Sequence, residues 1–425
     1  MTLAKAPVKG MKDILPEEMA VRDYAISLIK DTYSRFGFTP IETPALENIA
    51  NLTNKQGGEN EKLIFKIMKR GEKLSLDQAK TPEDLVDSGL RYDLTVPLCR
   101  YYANNLDKLP SPFKALQIGS VWRADRPQRG RFRQFTQCDI DILGDGSCLA
   151  EIELISATST LLGKLGFKGF VIRINDRRLL KAMAAHSGIP QESYDKVFII
   201  LDKLDKIGLA GVEKDLLEAG FAPETVSSYL EFFRDLDSTE LLEQCSRRLI
   251  SGDGKDDAGE NRELSAVAEN LKQIMDCVSA TKSCDFQLVY DPTLVRGMSY
   301  YTGPIFEITM AEFGSSVGGG GRYDHMVGSF TNLNVPACGF SIGFERIVTI
   351  LLEQGFQVPK TGNKVAFLVE KGLSGEALAR MFAQAQNQRL AGATVLVTLK
   401  NKNARHQREQ LEQEGYTEFL QFYKQ

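Results

Sequence analysis

The sequence predicts an α/β protein: an antiparallel sheet flanked by helices, a helical insertion, and a small C-terminal α/β domain. Three observations predict it. Apolar-rich runs (Leu116, Ile118, Val121 and Phe135, Ile140, Ile142) flank a polar tip with Pro127 and Gly130, the pattern of two antiparallel strands joined by a longer loop. Between residues 179 and 271, several helical patterns succeed one another. After a linker at 355–362, strand and helix patterns alternate, which suggests a parallel sheet.

Composition sets the outer limits. A chain of 425 residues has room for two or three domains and ample sequence to bury a core. Its 43% hydrophobic and 25% charged content is ordinary for a soluble globular protein. The net charge of −4 does not attract nucleic acid overall, so any such contact must use local patches. No apolar run reaches the roughly 18 residues that span a bilayer. The N-terminus lacks the apolar core of a secretory signal. A cytoplasmic protein with no membrane partner is the expectation. The seven cysteines are scattered without a C-x-x-C pair, and only His186, His325 and His406 add imidazoles. Reduced thiols packed as small hydrophobes are expected, rather than a zinc site or a disulfide framework.

Residues 17–36 read as an amphipathic helix. Ala20, Tyr24, Leu28, Ile29 and Tyr33 recur mostly three to five apart, and Gly37 ends it. A strand with Ile41 follows and closes at Pro44. In Arg91-Tyr-Asp-Leu-Thr-Val-Pro97, read as a strand, Asp93 and Thr95 point the same way. One carboxylate plus one hydroxyl can hold an ammonium group; an ordinary turn is the competing reading. The hairpin tip then crowds Arg123, Arg126, Arg129, Arg131 and Arg133 together. So many guanidiniums repel unless an anion is expected, for which arginine's planar fork is suited. The other reading is a solvated loop whose arginines pair with acids elsewhere. Beyond the tip, Gln137, Asp139 and Asp141 share one strand face, while Cys138 and Ile140 take the other, structural one.

The middle third says least. Residues 151–165 form a helical pattern with Ile152, Ile155, Ala157, Leu161 and Leu162 on a broad apolar face. A strand follows at 170–174, and 252–259 is a polar, turn-rich loop. Charges of both signs are interleaved here, as on any solvated helix surface. A strand at 286–290 and a turn at Asp291-Pro292 lead to Leu294-Val-Arg-Gly-Met-Ser-Tyr-Tyr-Thr-Gly303 and a strand at 305–309. Next comes Ser315-Ser-Val-Gly-Gly-Gly-Gly-Arg-Tyr-Asp324. Glycines let a backbone pass close to a ligand. Neither phosphate-loop spacing is present, however, so the run alone reads as a flexible turn. Residues 337–348 read as a strand entering a helix through Gly343, with Arg346 at the helix start. The tail has strands at 365–369, 394–399 and 419–423, helices at 376–390 and 403–414, and nine Lys/Arg against six Asp/Glu.

These stretches, in this order, resemble the class II aminoacyl-tRNA synthetases, and the form Arg-Pro-Gln-Arg-Gly-Arg-Phe-Arg-Gln-Phe followed by Gln137 resembles the histidyl-tRNA synthetases in particular. Residues 10–46 are similar to motif 1, the family's dimer interface, and the hairpin to motif 2. Residues 294–303 and 315–324 are similar to the two histidine signatures, and 337–348 to motif 3. The resemblance implies a class II catalytic domain in two parts, 1–178 and 286–355. A helical insertion at 179–285, which holds the tRNA acceptor arm in the family, separates them. A shortened anticodon-binding-like domain at 363–425 follows.

The implied activity is a histidine–tRNA ligase using ATP and Mg²⁺, with L-histidine and tRNA(His) as partners and a homodimer formed through motif 1. Carried over residue by residue, Arg123 binds the α-phosphate and Arg296 lies beside the reacting carboxylate; these are the catalytic pair. Arg131, Phe135 and Arg346 belong with ATP, Arg346 stacking on adenine and reaching the γ-phosphate. Asp93 and Thr95 hold the α-amino group of histidine. Gln137, Asp141, Gly319 and Gly320 line its pocket, Tyr300 and Tyr301 flank it, and Tyr323 closes on it. No metal ligand is implied. The departures are Asp93 and Asp141 where relatives carry Glu, Ser299 for Asp, and His325 for Gly. His325 is expected to be a surface side chain without a catalytic role. The resemblance leaves two alternatives: a silent paralogue serving as regulatory subunit of ATP phosphoribosyltransferase, and an amino-acid activator lacking tRNA transfer. Retained Arg123, Arg296 and Tyr301 argue against the first, and the short tail argues for it.

Overall fold

A computed structural model describes residues 3–53, 60–234, 240–250, 258–295, 300–359 and 362–424. The opening helix α1 is Pro16–Arg35. Pro16 occupies its first turn, where an N–H would have no partner, and Glu17 and Glu18 face the positive end of the helix dipole. Its buried stripe is Val21, Arg22, Ala25, Ile29, Thr32 and Tyr33. Ala20 is exposed, and Tyr24 and Leu28 are only half-buried. The expected face is therefore rotated, because the true one includes an arginine that an apolar count does not register.

Strand β1 is Thr39–Ile41, β2 is Leu46–Asn48, α2 is Ile49–Thr53, β3 is Lys66–Met68 and β4 is Val86–Leu90. The order β2-β4-β3 forms a small antiparallel sheet that the sequence reading missed. Helix α3, Thr95–Ala103, corrects the strand reading of 91–97. Thr95 opens a helix, and the Asp93 carboxylate accepts the Val96 N–H at 3.1 Å, tying down a first-turn donor. Pro97 fits in that first turn because its missing N–H would be unpaired there.

The expected hairpin is present as β5, Phe113–Trp122, and β6, Gln134–Leu143, registered Gln117↔Asp139 and Gly119↔Gln137. Helix α4 (Leu149–Lys164) and β7 (Phe170–Asp176) follow, then the helical run α5 (Arg177–His186), α6 (Tyr194–Leu201), α7 (Leu204–Glu218), α8 (Pro223–Leu230), α9 (Leu241–Ile250) and α10 (Ala258–Ala280). The loop expected at 252–259 is already helical from residue 258, and its earlier part lies outside the described residues. Strands β8 (Phe286–Tyr290), β9 (Pro304–Met310), β10 (Ser315–Arg322) and β11 (Ala337–Ile342), with helix α11 (Phe344–Glu353), complete this part.

Eight strands form one sheet, ordered β1-β5-β6-β11-β10-β9-β7-β8. Its interior pairs are antiparallel; β1 on β5 and β8 on β7 are parallel. Helices α4 and α11 pack on β6, and α1 packs on both helices. The glycine run, read alone as a flexible turn, is instead the interior strand β10. Glycine carries no side-chain pattern by which a strand is recognised. A Cβ at Gly320 would stand 1.9 Å from the Gly339 carbonyl oxygen and 2.8 Å from the Phe306 ring, so glycine is what lets these strands approach.

Residues 357–425 form a separate compact unit. It comprises β12 (Lys364–Val369), α12 (Gly375–Leu390), β13 (Thr394–Leu399), α13 (Ala404–Gln413) and β14 (Glu418–Phe422). The strands are parallel in the order β13-β12-β14, as the alternation suggests. Val365, Phe367 and Val369 pack with Met381 and Ala385, while Ala366 and Leu368 pack with Leu411. Among the described residues no helix is long and apolar enough to cross a membrane.

Candidate active site

A cavity of about 410 Å³ opens over β6, β10 and β11, bordered by the β5–β6 tip and the start of α11. It brings together Asp93, Thr95, Arg123, Arg131, Phe135, Gln137, Asp141, Tyr300, Tyr301, Gly319, Gly320, Tyr323 and Arg346. Arg296 and Ser299 lie outside the described residues. His325 is exposed, away from this lining.

One side of the cavity is acidic. Gln137, Asp139 and Asp141 project from one face of β6. Tyr323 donates its hydroxyl to Asp141 Oδ1 at 2.6 Å. Asp141 Oδ2 and Gln137 Oε1 are buried, and among the described residues no donor reaches either. Such acceptors are costly unless something donates to them. The Gln137 side-chain N–H group donates to Asp139 Oδ2 and to Ser341 Oγ, each at 3.2 Å. Asp139 is the residue to which sequence reasoning gave no part, although alternation placed it on the correct face. Gly339 permits the crowding: a Cβ there would sit 2.0 Å from Asp141 Oδ1.

Burial pushes the Asp141 carboxyl up to about 7, with Asp93 adding to the rise and the Tyr323 hydrogen bond opposing it. Burial, then the neighbouring Asp141, pushes Asp139 well above the usual carboxylate range. These shifts have a sign for stability. The folded chain holds the Asp141 proton at pH values where the unfolded chain has released it. The resulting stability is present below the ordinary value of 3.8 and is lost as pH rises through about 7. The ligand-free protein should therefore melt at lower temperature as pH is raised across this window, by the equivalent of a few kcal/mol. Melting curves of wild type and Asp141→Asn check this: the variant should lose the Asp141 share of the slope, and an unchanged slope would refute the assignment.

The other side is cationic. Arg123 donates through Nε to the Tyr92 carbonyl at 3.0 Å, and its guanidinium lies 4.2 Å from the Tyr92 ring centre and 5.2 Å from that of Phe135. The side chain is thus held on three sides. Arg131 pairs with Asp125 at 3.0 Å. Arg346 donates to the Ser316 carbonyl and lies 5.6 Å from the Phe313 ring centre. Beside it, Glu345 and Arg22 form a buried two-pronged pair at 2.6 and 2.9 Å, and Glu345 also accepts the Thr136 N–H at 3.0 Å. This pair joins α1, β6 and α11 behind the arginines.

The hairpin arginines divide between the two readings. Arg129 pairs with Glu353, and Arg133 donates to the carbonyls of Asp125 and Lys9. Those are structural contacts. From this cluster Arg123 and Arg131 line the cavity, so the crowding of charge overstates how many arginines meet an anion there.

A hairpin arginine and a helix-start arginine over an antiparallel sheet, facing an acidic pocket, define a class II aminoacyl-tRNA synthetase. The family model for histidyl-tRNA synthetase matches residues 10–347. A histidine–tRNA ligase of Leifsonia xyli subsp. xyli is 45% identical over 364 residues, covering 81% of this chain and 80% of its own. A probable histidine–tRNA ligase of Tropheryma whipplei (strain Twist) is 40% identical, covering 97% and 95%. The chain belongs to the histidyl-tRNA synthetase family. The crystal structure of histidyl-tRNA synthetase from Nostoc sp. PCC 7120 superposes with a TM-score of 0.78 at 27% identity, covering 97% of this chain and 90% of that one. A Bacillus halodurans structure described as an ATP phosphoribosyltransferase regulatory subunit/histidyl-tRNA synthetase has a TM-score of 0.77 at 19% identity, covering 99% of each chain, a likeness of fold alone.

Proposed function

We propose that this chain is a histidine–tRNA ligase: it activates histidine with ATP to histidyl-adenylate, then transfers the histidyl group to the 3′ end of tRNA(His). The observation that carries this reading is the pair of buried acceptors without donors, Gln137 Oε1 and Asp141 Oδ2, in a cavity that Arg123 and Arg346 also line. Acceptors of that kind suit a ligand rich in N–H groups, and the arginines suit its anionic end and a triphosphate.

Asp93 and Thr95 hold the ammonium group. Gln137 and Asp141 accept from the N–H groups of histidine, Tyr301 contacts the imidazole, Tyr300 flanks the pocket, and Tyr323 closes over it. Gly319 and Gly320 give a wall without side chains. The carboxylate oxygen attacks the α-phosphorus, and the bond to the bridging oxygen of pyrophosphate breaks. Arg123 and Arg296 offset the repulsion of the two anions and the charge building on phosphorus. Arg346, with Arg131 and Phe135, holds the nucleotide. A terminal ribose hydroxyl of tRNA then attacks the histidyl carbonyl carbon and AMP leaves. The residues mainly position and neutralise, so no covalent nucleophile on the protein is needed. Among the described residues no cluster of three His, Cys, Asp or Glu side chains is placed to hold a metal ion; Mg²⁺ enters with the phosphates of ATP, as part of the substrate.

The helices of 179–285 would contact the acceptor arm, the unit beyond residue 357 the anticodon, and α1 with β1 a second copy of the chain. The enzyme would work in the cytoplasm. The test is ATP–pyrophosphate exchange with each amino acid in turn; exchange with histidine alone is expected, and none with any amino acid would sink the reading. Arg296→Ala should abolish adenylate formation while histidine still binds in calorimetry. Wild-type exchange in that variant would remove Arg296 from the mechanism.

A further inference from the structure

Two buried acceptors face the cavity, and one of them could have been a donor. The amide ends of glutamine are nearly isosteric, so neighbours decide which one is presented. At Gln137 the deciding neighbours are Asp139, with both carboxylate oxygens toward the amide nitrogen at 3.5 and 3.2 Å, and Ser341 Oγ at 3.2 Å. A hydroxyl can donate or accept and imposes no choice. In the empty pocket burial and Asp141 favour the neutral acid at Asp139, which can donate as well as accept; a bound cation offsets both and favours the ionised carboxylate, which only accepts. Asp139 is 4% exposed and Gln137 9%, so water does little to relax the pairing.

We infer that Asp139 is a positioning residue for amino-acid selection: it turns the Gln137 amide so that Oε1 faces the ligand as an acceptor, matching Asp141 Oδ2. The ligand class selected this way has two N–H donors to place on one strand face, at positions four residues apart. A ligand of similar shape that lacks the second donor leaves one acceptor buried and unpaired. This assignment rests on the reading of the cavity as a histidine site.

The test is a double-mutant cycle in the full chain, with Asp139→Asn, Gln137→Ala and both together, measured by histidine-dependent ATP–pyrophosphate exchange. Asn offers a donor as well as an acceptor, so it no longer forces the amide one way. Asp139→Asn should raise the KM for histidine by roughly tenfold, leave the KM for ATP within about twofold, and have little further effect once Gln137 is alanine. Asp139→Ala, which removes the partner altogether, should behave likewise and serves if the Asn variant does not fold. Additive losses in the double variant would overturn the inference, because Asp139 would then act by its charge and not through Gln137. A parallel rise in both KM values, or no change, would overturn it too. Absence of exchange in the wild-type chain would instead bring down the histidine reading, and this assignment with it.

Discussion

Replacing Arg123 by alanine is expected to cut the rate of histidyl-adenylate formation by about a thousandfold, while histidine binding without ATP changes by less than about threefold. The reason lies in how the side chain is held. Its Nε is committed to the Tyr92 carbonyl, and two rings flank the guanidinium. The group is thus oriented before any substrate arrives. Preorganised charge of this kind acts where negative charge develops, and removing one such donor costs about 10²–10³ in rate even when it is neutral. Arg123→Lys should not restore the rate, because an ammonium cannot keep the carbonyl bond and still present a fork to phosphate. Single-turnover adenylate formation and calorimetric histidine binding separate the two effects. An Arg123→Ala enzyme within tenfold of wild type would remove this residue from the chemical step.

The second large effect concerns stability. Arg22→Ala should destabilise the unit spanning residues 1–356 by about 3–5 kcal/mol, because Glu345 would remain buried without its counter-charge. Arg22 and Glu345 are only 8% and 6% exposed, so solvent cannot take over the missing partner. Replacing both, Arg22→Met with Glu345→Leu, should recover most of the loss, since two apolar side chains leave no buried charge. Urea unfolding of the three proteins measures this. A loss below about 1 kcal/mol for Arg22→Ala would show that water reaches Glu345 after all. Because Glu345 precedes Arg346 and ties α11 to Thr136, the single variant should also raise the KM for ATP.

Much of this could be read from residues alone. The hairpin was legible because period-two alternation and a charged tip are both local signals, and the C-terminal parallel sheet because strands and helices alternate cleanly. The small sheet β2-β4-β3 was not, since strands of three to five residues carry too few alternations to stand out. The helix at Thr95 was hidden by Pro97, which usually argues against one. The buried face of α1 was misplaced because Arg22 is buried only through Glu345, a partner 323 residues away. Asp139 fell on the right face of β6, but its effect runs through another side chain, and no motif records that. The order of the motifs carried the family; the contacts among them came from the fold.

The close approach at β10 and β11 also bears on how this gene can drift. Every missense change in a glycine codon installs a Cβ. At Gly320 that atom meets a backbone oxygen, and at Gly339 it meets the carboxylate of Asp141; the backbone obstacle cannot rotate out of the way. The Gly320 codon therefore has no conservative missense neighbour, while a buried valine can pass through isoleucine or alanine at modest cost. Random mutagenesis with selection for activity should recover synonymous changes there and almost nothing else. The pocket wall would persist because the genetic code offers no tolerable step away from it.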